Sequence, residues 1–102
     1  MGSEPTAAGW PANVCLTTRA QRDLDALDRD SAKQRRILED IRRLALGHLP
    51  QAAIKKLKGF DPPLWQADSG EFRIFYTWEQ GVLWLRGILR KSDQQKRLRS
   101  LR

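Results

Sequence analysis

"EFRIFYTWEQGVLWLRGILRK", residues 71–91, is the stretch whose reading decides the fold. Phe72–Glu79 and Val82–Arg90 are rich in aromatic and β-branched residues, and Gln80-Gly81 stands between them. That is the pattern of two antiparallel strands joined by a tight turn. A two-residue turn pairs Glu79 with Val82 and sets an unbroken ladder behind them. Side chains alternate across a strand, so the two faces can be written out. One holds Phe72, Ile74, Tyr76 and Trp78 with Leu83, Leu85, Gly87 and Leu89; it suits a core. The other holds Arg73, Phe75 and Thr77 with Val82, Trp84, Arg86, Ile88 and Arg90. A three-residue turn would slip the register and bury Arg86 unpaired, on the order of several kcal/mol unfavourable. The two-residue turn is therefore predicted, with three arginines converging among aromatic rings on one face. Guanidinium groups so placed suit phosphate clamping with base stacking. The plain alternative is that Asp68, Glu71 or Glu79 neutralises them as surface ion pairs.

Outward from the hairpin, Leu64–Ala67 reads as a preceding strand, with "DSG" as the joint. Before it, "AAIKKLKGFDPP" reads as a linker holding one helical turn and a basic cluster at Lys55, Lys56 and Lys58. Ile37, Leu38, Ile41, Leu44 and Ala45 form one apolar stripe, which predicts a helix over 32–46 ended by Gly47 and Pro50. Thr18 with Gln21 resembles a capping box, and Ala20, Leu24 and Leu27 extend it into a helix over 18–29. "NVCLT", 13–17, is a β-prone first strand. Residues 1–12, rich in Gly, Ala and Pro, are expected to be a flexible N-terminal segment, and 13–102 a single domain. The order strand, helix, helix, meander implies an α+β fold: two N-terminal helices packed on a small, mainly antiparallel twisted sheet.

Charge is the unusual bulk property of this 102-residue chain: 19 Lys+Arg against 12 Asp+Glu, net +7. The excess is concentrated, since residues 86–102 carry seven basic groups against Asp93 alone. A polyanion partner fits such a distribution, nucleic acid first and an acidic protein or anionic membrane second; a solubilising tail is the bland reading. The single cysteine, Cys15, excludes an intramolecular disulfide and is expected to be a small core residue. One His and scattered carboxylates offer no metal-ligand spacing, and there is no phosphate-cradling glycine loop, so neither metal nor cofactor is expected. No apolar run approaches the roughly 18 residues of a membrane span. The first residues lack a secretory pattern, and a cytoplasmic protein is the expectation.

The stretch "IKKLKGFDPPLWQADSGEFRIFYTWEQGVLWLRGILRKSDQQ" resembles the RelE/HigB superfamily of bacterial toxins, nearest its phage-type HigB branch. The likeness runs from about Leu24 to Arg97 and rests on the "KLKG" segment, a strand of G-x-x-R-hydrophobic-x-Y type, and an apolar strand ending in paired basic residues. It implies a RelE-like fold and a metal-independent endoribonuclease that cuts mRNA in the ribosomal A site. It also implies a cognate antitoxin partner in a toxin–antitoxin hetero-oligomer. Carried over by position, Arg73 matches the arginine at the scissile phosphate, and Arg90 with Lys91 matches the basic pair; these are the candidate catalytic residues. Lys56, Lys58, Arg86 and Lys96 are the candidate RNA-steering residues. The tail "SDQQKRLRSLR" has no tyrosine where many relatives carry a catalytic one, and the single histidine, His48, reads as a helix-end dipole partner.

Cleavage by the ribose 2′-hydroxyl needs a base, charge stabilisation at phosphorus and an acid. Arg73 and Arg90 can supply the second, and Lys91 can donate a proton or, with its pKa lowered, accept one. Glu71 and Asp68 are the nearby carboxylates able to act as base. A site strong in electrostatics and poor in proton transfer suits an enzyme whose substrate the ribosome orients, or one that has lost its activity. The alternatives are a ParE-like inhibitor of DNA gyrase, which the missing tyrosine favours, and a non-enzymatic nucleic-acid-binding module.

Overall fold

The structure is a computed structural model that describes residues 13–29 and 31–93. Strand β1, Val14–Leu16, leads into helix α1, Thr18–Asp25, which tightens into a 3₁₀ turn at Ala26–Arg29. Thr17, not Thr18, is the N-cap: its side chain accepts the Ala20 N–H at 3.1 Å. Helix α2, Ser31–Ala45, ends as its apolar stripe ends. Gly47 takes φ +76°, and His48 N–H donates to the Arg43 carbonyl at 2.8 Å, closing the helix C-terminus.

After a 3₁₀ turn at Gln51–Ala53 come β2 (Ile54–Leu57), β3 (Leu64–Ser69), β4 (Phe72–Glu79) and β5 (Val82–Arg90). Among the described residues the sheet has five strands in the order β1-β5-β4-β3-β2. The meander β2 to β5 is antiparallel, and β1 adds to β5 in parallel, so the sheet is mixed. The segment expected as a linker supplies β2: Lys55 and Lys56 face water on an edge strand, where charge is tolerated and Ile54 and Leu57 carry the contacts. Gln80 and Gly81 both take positive φ, +53° and +78°, the backbone of a type I′ hairpin turn.

The apolar stripe of α2 faces the sheet: Ile37, Ile41 and Leu44 are buried. They pack with Ala20 and Leu24 of α1 against Val14, Ala67, Phe72, Ile74, Tyr76, Leu83, Leu85 and Ile88. At its edge the Asp40 carboxylate, itself buried, accepts from Ser69 Oγ at 2.7 Å and Arg36 Nε at 3.2 Å, which ties α2 to the end of β3. No helix among the described residues is long and apolar enough to cross a membrane.

The expected unbroken ladder does not hold. Tyr76 pairs with Leu85, but Phe75 pairs with Gly87, so Arg86 is an extra residue on β5, a β-bulge. Beyond it the faces exchange. Ile88 enters the main core under the helices, while Leu89 joins a second cluster with Leu64 and Phe75 on the opposite face. Leu57 and Phe60 close over that cluster, so this face is covered in part by the loop before β3.

The bulge is held from the α1 side. Strand β1 covers β5 only over Leu83–Leu85. Past that point Thr17 N–H donates to the Leu85 carbonyl at 3.0 Å, Thr17 Oγ1 to the Arg86 carbonyl at 3.3 Å, and Asp23 Oδ2 accepts the Ile88 N–H at 2.9 Å. Asp23→Ala leaves that amide without its acceptor and is expected to cost about 1–3 kcal/mol of stability in urea unfolding, with Asp23→Asn losing less. Equal stabilities in all three proteins would show that the amide finds another partner.

Candidate nucleic-acid interface

The bulge decides where the basic side chains go. Arg73 and Arg86 share the sheet face away from the helices. Arg73 Nε donates to Asp68 Oδ1 at 3.1 Å across the β3–β4 pair. Arg86 donates from Nε to Thr77 Oγ1 at 3.2 Å and from Nη2 to Glu79 Oε2 at 2.6 Å, and its guanidinium lies 5.7 Å from the Trp84 ring centroid. Thr77 Oγ1 in turn donates to Glu79 Oε2 at 2.9 Å, so three side chains close a ring that fixes the Arg86 fork. Beside it is a cleft of about 400 Å³ lined by Gly59, Phe60, Asp61, Pro62, Leu64, Thr77 and Arg86.

Arg90 is not on this face. The register shift pairs it with Phe72, on the helix side, where its guanidinium lies 5.1 Å from the Phe72 ring centroid and Nη1 donates to Glu71 Oε2 at 2.6 Å. The expectation of three arginines on one side is thus corrected: one extra residue reverses the parity of everything after it. The ion-pair alternative is what the geometry shows, since Asp68, Glu79 and Glu71 each hold one of the three.

Of the other expected residues, Lys91 is exposed just past β5, and its N–H donates to the Glu71 carbonyl at 3.0 Å. Lys56 is on the helix side, its Nζ 5.9 Å from the Trp65 ring centroid. Lys58 is exposed in the turn after β2. Lys96 lies outside the described residues. Lys55, which the sequence reading left out of the candidate set, pairs with Gln66 and so shares the face of Arg73 and Arg86. Its position two residues before Leu57 was the available signal. Cys15 is half-buried in β1 rather than in the core.

For proton transfer this face offers little. Tyr76 is on the opposite, helix side of the sheet, and burial there pushes its phenol up to about 12, the wrong direction for a base at neutral pH. Hydrogen bonds from Thr77 and then Arg86 hold the Glu79 carboxyl below its ordinary value, which keeps it ionised as an anchor. His48 is exposed just past α2. Among the described residues no group of three or more His, Cys, Asp or Glu is placed to hold a metal ion. What the arrangement can do is bind: the Arg73 and Arg86 side chains are 30% and 31% exposed, within reach of an anion from solvent. Partly exposed ion pairs contribute only about 0–1 kcal/mol, so a phosphate can take the place of either carboxylate.

No protein-family model matches the chain, and no curated protein matches it.

Because the Glu79 pKa is depressed in the fold, its support for the Arg86 fork is complete above 4.5 and is lost as pH falls through the lower, folded value. The Arg86 Nε–H resonance is expected to titrate with a midpoint below 4.5, and Thr77→Val to raise that midpoint. A midpoint unmoved by Thr77→Val would remove Thr77 from the ring.

Proposed function

We propose that the chain is a RelE-like toxin of a toxin–antitoxin pair that grips mRNA on the open sheet face and cleaves it in the ribosome. The observation that supports this reading best is the pair of arginine forks on one face, Arg73 and Arg86, with Trp84 for stacking and the neighbouring cleft for an unstacked nucleotide. The strand, two helices and antiparallel meander agree with the resemblance of the "KLKG" and "GEFRIFY" motifs to that superfamily. In this reading Arg73 stabilises charge at the scissile phosphate, and Arg86 takes the role first given to Arg90, on the neighbouring phosphate. Lys55 and Lys58 steer the strand toward them. Lys91 is the cation left to donate a proton to the leaving 5′-oxygen, the Asp68 carboxylate beside Arg73 accepts the proton of the attacking 2′-hydroxyl, and the ribosome aligns that hydroxyl. A cognate antitoxin would carry acidic groups able to compete for the same forks.

A second reading draws on the position of Arg90 and the scarcity of proton-transfer groups: a module that binds RNA without cutting it. Mapping mRNA 5′ ends in a translation extract, with and without ribosomes, separates the two. New ends that need ribosomes are expected for the wild type. Arg73→Ala is expected to remain folded and to lose on the order of 10²–10³ in cleavage, as for loss of a charge-stabilising donor. Intact mRNA with salt-sensitive binding would favour the second reading, and full cleavage by Arg73→Ala would overturn the assigned centre.

A further inference from the structure

Arg90, displaced to the helix side, belongs to a second cluster that the open face does not use. Glu71 sits in the two-residue turn Gly70–Glu71, between Ser69 and Phe72 of the paired strands. Lys33 Nζ from α2 donates to Glu71 Oε2 at 2.8 Å, and Arg90 Nη1 from the end of β5 donates to the same oxygen at 2.6 Å. Glu71 Oε1 and the Nε and Nη2 of Arg90 have no hydrogen-bond partner among the described residues. A cleft of about 350 Å³ opens here, lined by Ala32, Lys33, Arg36, Ser69, Gly70, Glu71 and Phe72.

Two cations from separate elements meeting on one oxygen mark a place where an anion is stabilised. A planar carboxylate fills it with a single atom. A tetrahedral phosphate presents at least two terminal oxygens, four when free and two in a phosphodiester, and so can meet the cations on separate atoms. Arg36 adds a third cation: its guanidinium is 4.0 Å from where a side chain at Gly70 would begin, and Gly70, at φ +62°, has none to block the approach. Arg36 keeps its Nε on the buried Asp40 carboxylate at 3.2 Å, which fixes its guanidinium beside the cleft, while Glu71 is the carboxylate that lines the cleft itself. The Lys33 hydrogen bond, with the Arg90 charge behind it, also holds the Glu71 carboxyl below its ordinary pKa, as expected of an anion in a cationic site.

We propose that this cleft is a phosphate-binding site in which the Glu71 carboxylate is the resident anion, displaced when phosphate engages Lys33, Arg36 and Arg90. The displacement is easy because both pairs are surface pairs: the Glu71 side chain is 47% exposed, and Lys33 and Arg90 are 39% and 50% exposed. The site lies on the other side of the sheet from Arg73 and Arg86 and is independent of the reading given above for that face. Its ligand is a phosphate group, free or carried on an RNA backbone.

The test titrates wild type and Glu71→Gln, by nitrogen-15 NMR and calorimetry, with inorganic phosphate and with a ten-residue oligouridylate. Glu71→Gln removes the competing charge, so phosphate affinity should rise about two- to fivefold at low salt, with the gain shrinking as salt is added. Lys33→Met with Arg90→Met, added to Glu71→Gln, should abolish the gain. A rise for both ligands assigns the site to an RNA backbone, and a rise for inorganic phosphate alone assigns it to the free anion. Unchanged or weaker phosphate binding by a folded Glu71→Gln protein overturns the site. If that variant does not fold, Glu71→Asp, which keeps the charge but withdraws it by one methylene, should move phosphate affinity in the same direction, and no change there overturns it equally.

Discussion

The Asp23 carboxylate on the Ile88 amide is the contact on which the rest of the molecule depends. A three-residue parallel strand cannot cover all of β5, and the amides beyond it would otherwise face an open edge. Helix α1 supplies both missing functions, a carboxylate for Ile88 and a capping threonine whose amide and hydroxyl reach β5 at Leu85 and Arg86. With those contacts in place, the extra residue at Arg86 is a stable feature of the sheet. Ile88 then turns into the core, Leu89 and Phe75 found the second cluster, and Arg86 and Arg90 part company.

The separation of the arginines alters the electrostatic picture. A single focus of three guanidinium groups would repel itself and need a polyanion, or buried carboxylates, to be stable. Two sites, each balanced by its own glutamate or aspartate, carry no such strain at rest. The carboxylates cost the protein some affinity for phosphate, and in return they hold flexible side chains in one geometry. A guanidinium already oriented loses less rotamer entropy on binding, an effect worth about 0.5–1.5 kcal/mol per side chain.

Much of this was legible in the residues. The α2 stripe ending at Gly47, the Gln80-Gly81 turn, the limits of β4 and β5 and the α+β class all follow from periodicity and turn chemistry. Two things were not. Strand β2 is only four residues long with two lysines in its centre, so its apolar content is too small to separate it from a linker, and pairing with β3 supplies what composition does not. The bulge escapes any reading that assumes a constant period of two, and Gly87 was its only local sign, since glycine inside a strand often marks one. The candidate site fared accordingly. Arg73 and Arg86 were placed on the correct side because both precede or form the bulge, whereas Arg90, four residues after Arg86, was not.

The short parallel strand has a further consequence, in chain connectivity. The meander closes through turns as short as two residues, whereas β1 meets β5 across 69 residues, as in the Thr17–Arg86 bond. Loop-closure entropy grows by roughly 0.6 kcal/mol per doubling of length, so joining β1 costs about 3 kcal/mol more than closing the β4–β5 hairpin. Val14, almost fully buried, and the Thr17 bonds must offset that difference within a very small contact. The N-terminal arm is therefore the marginal partner in an otherwise locally connected sheet, and the bulge geometry survives only while the arm stays docked.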